Sequence, residues 1–233
     1  MIVKLEEEGI IAKSCDEMIS SLEIVSGNSV FQSECFKNGL FHAQDLASQR
    51  CVENFAPQKG DVVFDMCAAP GGKSFTIAQI MENCGKIYSF DLYEHKIKLI
   101  KDGAKRLGIN IINSKLGDAS VYNPDLPKAD KILCDVPCAG LGVIRRKPEI
   151  KYKDFGFVDK LCELQYNILN NASLYLKDKG VLMYSTCSLS KKENEDVCNR
   201  FLDEHKEFIN GGMVTVEPYT NSDGFFFAKF IKE

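Results

Sequence analysis

The chain has 233 residues, 45% hydrophobic and 27% charged, a composition that excludes a disordered or fibrous protein. At roughly 150 residues per domain, this length fits one large α/β domain or one domain with a short appendage. Lys and Arg number 29 against 33 Asp and Glu, a formal net charge of −4, so any nucleic-acid contact must come from a local patch rather than from overall charge.

Residues 1–44 hold short β-like pieces (GIIAKSC, SLEIVS, GLFHAQ) without a βαβ rhythm and read as a small accessory module or β-rich cap. The opening MIVKLEEEGI is acidic and lacks the apolar run of a signal peptide. No later run reaches the roughly 18 apolar residues of a bilayer span, so a cytoplasmic protein without membrane contact is expected. A helix over 45–56 (DLASQRCVENFA) leads into a long alternating section. There DVVFDM (61–66) reads as a strand, followed by a helix that opens on Gly71-Gly72. KIYSFD (86–91) is the next strand, and the helix over 94–108 sets Ile97, Leu99, Ile100 and Leu107 near one stripe. INIINS (109–114) and KILCDV (131–136) follow as strands, then an amphipathic helix over 161–176, the strand GVLMYSTC (180–187) and a polar-rich helix over 192–205. MVTVEP and GFFFAKFIK (224–232) close the chain as two neighbouring strands. Strand and helix alternating through short turns imply a mainly parallel sheet covered on both faces, with an antiparallel edge from the last pair.

Ten cysteines fall short of a disulfide scaffold, which takes roughly 8–10% of a chain. None form C-x-x-C pairs and only His42, His95 and His205 could join them, so no metal site is expected. Reduced thiols in an intracellular protein, most of them small buried hydrophobes, fit best.

Ligands of open α/β sheets bind outside the carboxyl ends of the strands. Here the five strands of the alternating section run into Asp65-Met66-Cys67-Ala68-Ala69-Pro70-Gly71-Gly72-Lys73, Asp91, Gly117-Asp118, Asp135-Val136-Pro137-Cys138 and Ser185-Thr186-Cys187-Ser188. Asp is common in turns and caps, which explains any one of these ends but not readily all five. Small residues from Ala68 to Gly72 let a ligand lie against the main chain at a helix N-terminus. The loop matches neither the P-loop nor G-x-G-x-x-G, and it suits a ligand with a nucleoside and an amino-acid end. Asp91 follows the glycines by about the 20 residues at which an acidic side chain takes ribose hydroxyls, and Asp118 then falls at the adenine end. Cys138 and Cys187 stand apart from the other thiols because both close strands on this edge, where an ionised thiol is a strong nucleophile.

DMCAAPGGKSFTIA, DVPCAGLGVIRRKPEIK, YSTCSLSKKENEDV and DGFFFAKF, in that order from about Phe41 onward, resemble the Sun/Nop (RsmB-like) family of RNA cytosine-5 methyltransferases. The resemblance implies a Rossmann-like class I methyltransferase fold with seven strands over 45–233 and S-adenosylmethionine as cofactor. It implies that Cys67, Ala68, Ala69, Pro70, Gly71, Gly72 and Lys73 hold the methionine end and sugar, Asp91 the ribose and Asp118 the adenine. Asp135 would lie between cofactor and target base, Cys187 would be the nucleophile, and Cys138 would help release the product. In that chemistry the Cys187 thiolate adds to carbon 6 of cytosine and makes carbon 5 nucleophilic, while Asp135 and the Pro137 carbonyl hold the base. The base must be unstacked, so a single-stranded or opened region of rRNA or tRNA is expected, 16S-type rRNA slightly favoured, with the protein a monomer. Full-length members carry a further N-terminal RNA-binding helical domain, of which residues 1–44 would be a partial module.

Arg145, Arg146 and Lys147, with Lys151 and Lys153, form the densest basic cluster and directly follow the Pro-Cys loop, a position suited to phosphate contact. Phe225-Phe226-Phe227 reads as core rather than as a base-stacking platform. Glu193 and Glu195 read as favourable charges at a helix N-terminus rather than acid catalysts. Gln44, Asp45, Ser48 and Gln49 match the family segment that precedes the fold and take a supporting role. An exocyclic-amine methyltransferase would need Asn/Asp-Pro-Pro-aromatic where this chain has Asp135-Val136-Pro137-Cys138. A catalytically silent RNA-binding or ribosome-assembly factor could dispense with a cysteine, and both are present.

Overall fold

The computed structural model describes residues 1–15, 18, 20–152, 154–219 and 222–233. In chain order the leader contains α1 (Ile2–Glu7), β1 (Ile10–Ser14), β2 (Leu22–Gly27) and α2 (Glu34–Lys37). The main body contains α3 (Leu46–Phe55), β3 (Val62–Asp65), α4 (Gly72–Ile80), β4 (Lys86–Asp91), α5 (Glu94–Arg106), β5 (Ile112–Leu116) and β6 (Ala129–Asp135). It continues with α6 (Val158–Ser173), β7 (Leu176–Thr186), α7 (Glu195–Glu204), β8 (Phe208–Val216) and β9 (Phe225–Lys232).

Seven strands form one sheet in the order β5-β4-β3-β6-β7-β9-β8. β3 through β7 pair in parallel, and β9 runs antiparallel to both β7 and β8, so the antiparallel strand is the second from the edge. This is the Rossmann-like α/β fold expected for the chain. Strand order reverses between β3 and β6, which puts the ligand crevice at their carboxyl ends.

Both sheet faces are covered, so the strands are apolar in successive rather than alternate residues. Phe64, Ile132, Tyr184, Phe226 and Phe230 pack with Leu169 of α6 and Phe201 of α7 on one face. Val63, Ile87, Leu133, Met183, Phe225 and Phe227 pack with Val52 and Phe55 of α3 and Ile77 of α4 on the other. The three consecutive phenylalanines are therefore core, shared between the two faces.

Several elements differ from the sequence expectation. The third strand of the alternating section spans Ile112–Leu116, not 109–114, because the Ile109 N–H closes the end of α5 on the Ala104 carbonyl (2.9 Å). On α5, Ile97, Ile100 and Ala104 are buried, whereas Leu99 is 51% exposed because two residues from Ile97 is the opposite side of a helix. In the leader, GIIAKSC and SLEIVS pair as the β1–β2 hairpin, but GLFHAQ forms no strand: the Phe41 carbonyl accepts from Arg106 (3.0 Å) and His42 contacts Thr76 (3.1 Å). The acidic start is helix α1, whose Leu5 joins Ile10, Ala12 and Cys35 in a small core of the leader's own. The Arg106 guanidinium also lies 3.7 Å from the Phe36 ring, fastening that unit to α5.

Gly142 ties three segments together at the crevice. Its N–H donates to the Cys187 carbonyl (2.9 Å) and its carbonyl accepts from the Gly224 N–H (2.9 Å). A Cβ there would stand 2.0 Å from the Gly224 oxygen and 2.9 Å from that of Cys187. Both are backbone atoms that cannot swing aside. Gly142→Ala should therefore destabilise the protein by about 1–3 kcal/mol, the usual cost of overpacking, read as a lowered midpoint in urea. An unchanged midpoint would show that the contact relaxes freely.

Candidate active site

The loop after β3 turns into α4 by a tight sequence of backbone bonds. Ala68 N–H donates to the Phe90 carbonyl (2.8 Å) and Gly71 N–H to the Ala68 carbonyl (2.7 Å). Gly71 has φ +112°, and a side chain on it would meet the Phe75 ring at 2.5 Å, so this turn admits only glycine. The first intrahelical bond of α4 is Phe75 N–H to the Gly71 carbonyl, which leaves the N–H groups of Gly72, Lys73 and Ser74 without helical partners. That end suits an anion such as an amino-acid carboxylate.

Asp91 at the end of β4 is 7% exposed, accepts from the Tyr93 N–H (3.2 Å) and lies 3.7 Å from Lys96. Gly117 N–H donates to the Asp91 carbonyl (3.1 Å), which brings the Asp118 turn alongside. Asp118 is exposed and closes its own turn by accepting from Ser120 N–H (2.9 Å) and Oγ (2.6 Å). An anion-accepting helix end, a carboxylate beside it and a second carboxylate at the rim together fit a nucleoside with an amino-acid end.

Asp65 closes β3 beneath this loop. It is fully buried and accepts from Ser74 Oγ (2.6 Å), which also contacts Ser89 Oγ (2.8 Å). Burial pushes its carboxyl up to about 7.

The candidate reactive residues lie at the ends of β6 and β7. Register pairs Asp135 with Ser185, and Ser185 Oγ donates to Asp135 Oδ1 (2.8 Å). The other Asp135 oxygen accepts from Lys73 Nζ (2.6 Å), and the ammonium lies 5.0 Å from the centre of the Phe225 ring. Burial works against the Lys73 charge, but the Asp135 carboxylate overcomes it and raises the lysine above its ordinary value. Three residues beyond Asp135 and two beyond Ser185, the sulfurs of Cys138 and Cys187 are 3.1 Å apart.

All ten cysteines are free thiols. Four are buried, five half-buried and one exposed, so most are not the core fillers expected from their number. Their acidities separate them. Cys51, Cys67, Cys134 and Cys198 are raised chiefly by burial, Cys51 to about 12. Cys187 moves the other way, because the Cys138 thiol donates to it and holds it below the ordinary thiol value against the effect of burial. Cys138, as the donor, is held well above.

The structure splits the predicted basic cluster. Asp223, 2% exposed, accepts from Arg146 Nε (2.6 Å) and lies 3.6 Å from the Arg145 guanidinium. Both arginines thus lean on one buried carboxylate while their own side chains stay 44% and 53% exposed. Asp45 completes the chain: one oxygen caps α3 at the Ala47 N–H (2.9 Å) and the other accepts from the Asp223 N–H (3.2 Å). Lys147 and Lys151 are exposed and have no ion pair among the described residues; Lys153 lies outside them.

Glu193 corrects the sequence reading most sharply. It is 0% exposed, and α7 begins only at Glu195. Its carboxylate accepts from the Ala139 N–H (2.8 Å), Gln165 Nε2 (3.0 Å) and Ser188 Oγ (2.5 Å). Gln165 also donates to the Pro137 carbonyl (2.9 Å), taking one of the two lone pairs expected to hold the base. Glu193 and Gln165 were invisible as site residues: one sits in the polar run SKKENED, the other mid-helix, and only tertiary packing buries them. A separate cavity of about 1050 Å³ lies between the β1–β2 hairpin and α3 and α4, away from these strand-end groups.

The opposite displacement of the two thiols predicts an order of reactivity. Iodoacetamide at pH 7 should modify Cys187 before Cys138, and Cys138→Ala should slow modification of Cys187 by removing its donor. Peptide mass mapping over time reads both rates, and earlier labelling of Cys138 would contradict the assignment.

The model of the family described as 16S rRNA methyltransferase RsmB/F matches residues 52–231. The probable ribosomal RNA small subunit methyltransferase B of Bacillus subtilis (strain 168) is 35% identical over 254 aligned residues, covering 100% of this chain and 57% of that protein. A solved methyltransferase homolog protein from Pyrococcus horikoshii is similar with a TM-score of 0.88 at 27% identity, covering 100% of this chain and 81% of that one. NSun6 from Pyrococcus horikoshii, solved with SFG, gives a TM-score of 0.79 at 31% identity over 91% of this chain and 59% of its own. This chain spans little more than half the length of the curated relatives it matches. With the family model matching residues 52–231 and a relative 35% identical across the whole chain, the chain belongs to the 16S rRNA methyltransferase RsmB/F family.

Proposed function

We propose that this protein methylates carbon 5 of a cytosine in RNA, with 16S-type rRNA as substrate and S-adenosylmethionine as methyl donor. The observation that carries the reading is the 3.1 Å thiol pair beside the Lys73–Asp135 ion pair. The names of the relatives and the SFG-bound neighbour support the substrate and cofactor. Residues 45–233 carry the reaction in this reading, and 1–44 form an accessory module.

When bound, S-adenosylmethionine supplies an electrophilic methyl group on a sulfonium sulfur. The α4 N-terminus with residues 67–73, Asp91 and Asp118 would hold its methionine, ribose and adenine parts. Cys187, its thiolate favoured by the Cys138 thiol, adds to carbon 6 of the base, which ends aromaticity and places electron density on carbon 5. The Asp135 carboxylate, its charge balanced by Lys73, accepts from the exocyclic amine, and the free lone pair of the Pro137 carbonyl faces the same amine. Once Cys187 is bonded to carbon it stops accepting from Cys138, which releases its proton to solvent. The Cys138 thiolate then takes the carbon-5 proton. Breaking the bond from Cys187 to carbon 6 restores a thiolate there and a thiol at Cys138, with one proton released per turnover. Arg145, Arg146 and Lys147, with Lys151, are the phosphate contacts for RNA entering an opened region.

Radiolabelled cofactor with total RNA, mapped by bisulfite resistance, tests the whole reading. Cys187→Ala should lose methyl transfer by several orders of magnitude, as removal of a covalent nucleophile does. Cys138→Ala should accumulate a protein–RNA adduct that survives denaturation. In that variant the rate of adduct formation should rise with pH later than in wild type, because Cys187 loses the donor that lowers its pKa. Methylation at carbon 5 by Cys187→Ala would refute the roles, and unaltered behaviour of both variants would instead favour a silent RNA-binding factor. Lys147→Ala should weaken RNA binding and flatten the salt dependence by about 0.7 in log–log slope, the value for one single-strand phosphate contact; an unchanged slope removes Lys147 from the interface.

A further inference from the structure

Two loops without regular structure must place two sulfur atoms within hydrogen-bonding reach, and a single buried carboxylate touches both loops next to the sulfurs. Glu193 Oε1 accepts from the N–H of Ala139, the residue after Cys138, at 2.8 Å. Its Oε2 accepts from Ser188 Oγ, the residue after Cys187, at 2.5 Å. Gln165 Nε2 bridges Oε1 (3.0 Å) to the carbonyl of Pro137, the residue before Cys138 (2.9 Å). The backbone of Glu193 is fixed as well, since its carbonyl accepts from Tyr184 Oη (2.5 Å). Beside it, Asn194 accepts from Thr186 Oγ1 (2.6 Å) and donates to the Ser188 carbonyl (2.9 Å).

Among the described residues no Lys or Arg pairs with Glu193, and its fully buried side chain is held by hydrogen bonds. Burying a carboxylate without a counter-ion is expensive, and an apolar side chain would fill the space at lower cost. The bonds it makes go to the residues flanking the two thiols. We propose that Glu193 is a positioning residue that sets the distance between Cys138 and Cys187, with Gln165 extending its reach to Pro137. Glu193 touches neither sulfur and acts only through the loops it fastens. The proposal rests on the reading that both thiols take part in one reaction, but its test includes a readout that needs neither RNA nor cofactor.

Phenylarsine oxide condenses with two adjacent thiols, forming two As–S bonds and releasing one water, so its retention reports their separation. Wild type, Glu193→Ala, Glu193→Gln and Ser188→Ala of the full chain are compared by intact mass under increasing dithiol competition, with Cys138→Ala as the baseline. Cofactor affinity and single-turnover methyl transfer are measured alongside. Glu193→Ala should lose arsenical retention by at least about tenfold while cofactor affinity stays within about twofold. Its methyl transfer should fall about 100-fold, the scale of a misplaced reacting group. Glu193→Gln, which keeps an acceptor for the Ala139 N–H, should recover most of both. A folded Glu193→Ala protein with wild-type retention overturns the proposal, as does a parallel loss of cofactor affinity, which would mean general collapse of the site. If Glu193→Ala does not fold, Ser188→Ala decides: weakened retention supports the clamp and unchanged retention refutes it. Wild type that retains the arsenical but methylates no RNA would defeat the enzymatic reading, leaving the clamp to stand or fall on the arsenical comparison.

Discussion

The proposed chemistry depends on a hydrogen bond between two sulfur atoms from loops 49 residues apart in sequence. A thiol in an apolar interior resists ionisation, as Cys134 and Cys198 do here. Cys187 escapes because a second thiol donates to it. The parallel pairing of β6 with β7 makes the arrangement possible, since parallel neighbours end at the same edge and their following loops emerge side by side. The antiparallel β9 then backs β7 with Phe225, Phe226 and Phe227, which keeps that edge rigid from behind.

Charge at this edge is arranged in separate, locally balanced units. Lys73 and Asp135 neutralise each other beside the thiols. Arg146 answers Asp223, which is itself linked through its N–H to Asp45 at the head of α3. Glu193 has no cation among the described residues and accepts from three donors. Each unit connects a crevice loop to a different part of the frame: α4, α3 with the segment before β9, and α6. Buried charges of this kind contribute little net stability and are better understood as devices that specify position.

Much of this was legible in one sequence. Strand-end placement alone singled out Cys138 and Cys187 among ten cysteines, and the glycines and small residues from Ala68 to Gly72 marked a ligand-facing turn. The family resemblance assigned separate roles to the two thiols, a distinction that spacing could not make. What misled were features in which local pattern and burial diverge. Leu99 is apolar yet sits off the buried stripe of α5, and Glu193 lies in a polar run yet is fully enclosed.

Residue order by itself determined the alternation of strands and helices and marked the carboxyl edge, with its two thiols, as the candidate site, because periodicity and turn chemistry are local properties. Only the tertiary structure decided which polar groups are buried and whom they bond. Burial depends on what arrives from elsewhere in the chain: Gln165 comes from α6, Asp223 from the segment before β9, and Ser188 from the loop beyond β7. No local pattern encodes those encounters, and they hold the two sulfurs face to face.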